Sequence, residues 1–134
     1  MTSASWRAIQ GLRAAPTGSA IDNDERRRIF TAALNQAEEL AVAASAVGYA
    51  ARPLPQFYSV SQAGRAIAAA HLTDKAELMG HGLSFAYDPE GILRSTVTPP
   101  KGQKSSGAFQ DVAIATGSPR MVTSAEVVFD PVSA

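Results

Sequence analysis

Arg65 and His71 stand six residues apart, and His81 follows ten residues later; these are both histidines of the chain. An arginine and a histidine brought together can cleave RNA without a metal. The guanidinium would stabilise the charge on the phosphorane while the imidazole moves the proton. The spacing opposes that arrangement, because positions six apart on one helix differ by roughly 120° in direction. Arg65 and His71 would converge only if the helix frayed near Ala70. Otherwise Arg65 is a solvated or salt-bridged helix residue, and His71 a helix C-terminal residue favoured by the dipole. His81 lies between Gly80 and Gly82, where the backbone can turn sharply and bring another group close. It would carry a proton at the helix-to-strand junction, or bond the loop and pack beneath the Tyr58 face; the structural role is the expectation. Tyr58, Gln62 and Arg65 share a helical stripe and, with His81, form the candidate binding set.

Other chemistries are poorly supplied. With no cysteine, disulfides, thiolate zinc sites and cysteine nucleophiles are all absent. Two histidines and scattered carboxylates make no metal-ligand pattern, so neither a metal nor a cofactor is expected. Ser59 and Ser61 have no evident base and acid for a triad. The loop Gly102–Gly107 lacks the Gly-Lys-Ser/Thr of a phosphate loop, although Lys101 and Lys104 would let it touch phosphate in a nucleotide-binding module. Arg26-Arg27-Arg28 falls in the first turns of a long helix, where the dipole does not favour cations. A solvated face accounts for the run, and a carboxylate or phosphate partner is the sharper alternative.

The 134 residues suit one domain, residues 1–134, with 46% hydrophobic and 18% charged residues. A formal net charge of zero gives no electrostatic reason to expect nucleic acid or an anionic membrane. It does favour association, as a homo-oligomer or with a protein partner, and RNA is the partner only on the ribonuclease reading. No secretory pattern opens the chain, and Leu40–Ala51 is too short and alanine-rich to span a bilayer. A soluble, cytoplasmic protein without membrane contact is expected.

These residues need elements to hold them. Ser5–Ala15 has Trp6, Ile9, Gln10 and Arg13 at helical spacing, with Trp6 expected to dock the helix. Asp22 offers an N-cap with Glu25 three residues on. From there Phe30, Ala33, Leu34, Ala37, Leu40, Ala41 and Ala44 make an apolar stripe on a helix ~35 Å long. Gly48 is expected to end it in a left-handed cap, and Arg52-Pro53-Leu54-Pro55 to form an extended turn. A third helix then spans about Gln56–Leu72, antiparallel to the second. Beyond Gly80 the period changes: Leu83–Tyr87, Ile92–Val97, Phe109–Ala115 and Met121–Phe129 read as strands, with Asp88-Pro89-Glu90-Gly91 a hairpin turn. Phe109–Ala115 also fits a helix. Residues 99–107 read as a mobile loop. The expectation is an α+β fold in which a helical part, 5–79, with a short leading helix and an antiparallel helical hairpin, packs on a small antiparallel sheet in a β-rich part, 80–134.

Glu25-Arg26-Arg27-Arg28, Ala33–Leu40, Arg52–Tyr58, Ser61–Ile67 and Gly80–Leu83 together resemble the YaaC-like proteins of bacteria, over about Trp6 to Pro119. Members are generally longer, and Arg120–Ala134 departs from their pattern, which implies a shortened member. The resemblance brings no established catalytic residue; it implies an uncharacterised domain, read here as a non-enzymatic interaction or oligomerisation subunit. A more distant outline is similar to HEPN domains of toxin and phage-defence systems, in Tyr58, Ala63, Arg65, Ala66 and His81-Gly82. Its ribonuclease members use an Arg-x4-6-His spacing that Arg65 and His71 match, with Ala66 in place of the usual polar residue.

Overall fold

In this computed structural model, residues 3–74, 78, 80, 82–91, 94–99, 107–121 and 125–126 are described, with the backbone alone at 3, 4, 6 and 126. In chain order they form α1 (Ser3–Ala14), a 3-10 turn (Gly18–Ala20), α2 (Asp24–Ala46), α3 (Pro53–His71), β1 (Ser84–Ala86), β2 (Thr96–Thr98), α4 (Ala108–Ala115) and β3 (Ala125–Glu126). The three short strands pair antiparallel in the order β1-β2-β3, with Phe85 opposite Val97 and Val97 opposite Ala125.

The helical hairpin is the centre of the fold, as its two alanine-bearing stripes require. Ala20, Phe30, Ala33, Leu34, Ala66, Ala69 and Ala70 form one buried cluster, with Ile9 and Ile29 packed against it. Small residues at 33, 66, 69 and 70 let the helix backbones approach closely. Ser59 Oγ donates to the Ala37 carbonyl at 2.7 Å across that seam. The leading helix docks on α2 through the expected stripe. Ile9 joins the core, Gln10 bonds Glu38, and Arg13 bonds Asn35 and pairs with Glu38 at 3.2 Å. The side chain of Trp6 lies outside the described residues.

The ends of the hairpin differ from the sequence expectation in three ways. Asn23, not Asp22, is the N-cap of α2, accepting from the Arg26 amide at 3.0 Å. Gly48 is not left-handed; Val47 leaves the helix in an extended conformation, φ −91°, ψ 158°. In place of a glycine cap, the Arg52 side chain donates to the carbonyls of Ala44 at 3.1 Å and Val47 at 3.5 Å. The double proline starts α3 instead of delaying it. Gln56 N is the donor to the Arg52 carbonyl at 3.2 Å, so Pro53 and Pro55 occupy positions whose missing amide hydrogens would have no partner in the helix.

A further correction concerns Phe109–Ala115, expected as a strand. It lies in α4, whose Ala108, Val112 and Ala115 pack on a second buried cluster of Ala68, Leu72 and Leu78. Three residues at i, i+4 and i+7 make a helical stripe, which outweighs the β-branched composition. Helix α3 is therefore held between α2 on one side and α4 on another. The two buried apolar clusters of the described residues lie among the helices and their ends, while β1 is exposed and β2 half-buried. Between β1 and β2 the expected turn is present. Gly91 N donates to the Asp88 carbonyl at 3.1 Å, and Asp88 Oδ1 accepts from Glu90 N at 2.8 Å. Of the expected mobile loop, 100–106 lie outside the described residues, as do 127–134.

Candidate functional site

The expected site residues divide along α3. Helix α3 is unbroken through Ala70, itself buried, and ends at His71. The fraying that would bring Arg65 and His71 together is therefore missing. Both side chains are exposed, and the helix directs them roughly 120° apart. No hydrogen bond or ion pair joins either to another described residue. Gln62 is half-buried, and Tyr58 is exposed. His81, Lys101 and Lys104 lie outside the described residues.

The glycines beside position 81 are placed. Gly80 O accepts from Ala108 N at 3.2 Å. Gly82, at φ +76°, lies so close to Gly107 that an added Cβ would sit 2.8 Å from its Cα. Only glycine satisfies both the left-handed backbone and that contact. Gly80 and Gly82 are thus tied to the start of α4. In the first turns of α4, Gln110 and Asp111 are 2% and 4% exposed. Gln110 Nε2 donates to the Met121 carbonyl at 2.9 Å. Both polar residues escaped the sequence reading, because a strand over 109–115 would have turned alternate residues to solvent.

Arg26 is the other residue whose use was not foreseen. Its Nη1 donates to the carbonyls of Ala69 at 3.1 Å and Leu72 at 2.6 Å, where the dipole of α3 is negative. Arg27 bonds the carbonyls of Ala20 and Ile21 and pairs with Asp24. Two arginines of the run are therefore spent on the fold. Arg28 is exposed and has no partner among the described residues.

What α3 does present is an apolar surface. Leu54, Phe57, Tyr58 and Val60 are 64%, 49%, 47% and 69% exposed, and Tyr49 in the preceding connection is 88% exposed. Phe57 and Tyr58 meet edge to face with ring centroids 5.3 Å apart. In the same half of the hairpin the buried residues are Ala37 and Ala44. The arrangement is inside out: small residues lie between the helices and large apolar ones face outward.

Residues 4–127 match the YaaC-like protein family. The chain belongs to that family. The match runs past Pro119, so the YaaC-like pattern includes the start of the segment expected to depart from it. The HEPN likeness rests on residue types alone. No curated protein and no solved structure matches this YaaC-like chain. Among the described residues, no helix is long and apolar enough to cross a membrane.

Proposed function

We propose that this YaaC-like chain is a non-enzymatic protein-interaction domain whose contact surface is the first half of α3. The observation that carries the reading is the outward set Leu54, Phe57, Tyr58 and Val60, in the half of the hairpin where only alanines are buried. Large apolar side chains contribute to stability when they leave water, and exposed apolar surface of this kind marks contact sites on soluble proteins. Aromatic residues are favoured there because they bury much area at low entropic cost. The residues of the expected ribonuclease pair, Arg65 and His71, diverge, which favours a binding role over catalysis.

A photoreactive benzophenone side chain at position 54 tests the reading in native cells. The expected result is a discrete covalent adduct with protein from position 54 and none from position 36, an exposed site on α2. Equal labelling from both positions, or no adduct from 54, would overturn it.

A further inference from the structure

We draw no further inference here: the strongest candidate, the outward apolar face of α3 at Leu54, Phe57, Tyr58 and Val60, belongs to the surface already described, and nothing in the structure shows what covers it.

Discussion

Arg26 reaches from the first turn of α2 to the carbonyl of Leu72, just beyond α3, at 2.6 Å. At the opposite end Arg52, which precedes α3, reaches the Ala44 carbonyl of α2 at 3.1 Å. Antiparallel packing sets each helix start beside its neighbour's end, so a cation unwelcome at the first becomes favourable at the second. The hairpin is closed by an arginine at each end.

Removing the Arg26 cap should destabilise the chain by about 1.5–3 kcal/mol, the range for hydrogen bonds from a charged group. Urea unfolding of Arg26→Ala, compared with Arg28→Ala, measures this. The exposed Arg28 should change stability by no more than about 0.5 kcal/mol. Equal effects would contradict the cap.

Gly18 is at φ +57°, and a Cβ there would lie 2.2 Å from the Ala70 carbonyl oxygen. Gly18→Ala should lower stability by more than about 1 kcal/mol, through left-handed strain and the forced withdrawal of the turn from α3. Gly11, inside α1 with nothing within 4 Å of an added Cβ, should behave oppositely. Gly11→Ala should gain about 0.5–1 kcal/mol from helix propensity. Thermal unfolding of the two variants decides both signs.

The cap of α2 separates two adjacent residues. Asn23→Ala should cost about 1 kcal/mol because Asn23 Oδ1 accepts from Arg26 N. Asp22→Ala should be near neutral in the same denaturant assay. The reverse order would restore Asp22 as the cap.

Contact between α3 and α4 is tight at Gly64. Gly64→Ala adds a Cβ 3.0 Å from Val112 Cγ2, so crowding against that methyl should offset the gain in helix propensity. Against a Val112→Ala background the clash is gone, so the same change should become favourable by up to about 1 kcal/mol from propensity. A double-mutant cycle on unfolding free energies measures the coupling; additive effects would contradict the contact.

Much of this fold was legible in the sequence, and the reasons are local. Phe30, Ala33, Leu34 and Ala37 repeat at helical spacing, and the core follows them. Asp88-Pro89-Glu90-Gly91 carries its turn chemistry in four adjacent residues. The misread ends of the hairpin turn on bonds that residue spacing does not reveal, near ones at Asn23 and Arg52 and a distant one at Arg26. Arg52 replaces a glycine cap only once α2 lies beside it, and Arg26 finds the Leu72 carbonyl 46 residues away. Pro53 and Pro55 were misjudged because their local bias against helix vanishes before the first helical donor. At the candidate site, the divergence of Arg65 and His71 was readable from helical geometry. The exposure of Phe57 and Val60 was not, because sequence periodicity places them on the stripe of Gly64 and Ala68 without telling how far α4 extends.

The most direct test of the α3 contact surface is crosslinking in native cells from a photoreactive benzophenone side chain at position 54, with exposed position 36 on α2 as the control. The contact reading predicts a discrete adduct with protein from position 54 alone. No adduct from position 54, or equal labelling from both positions, would contradict it.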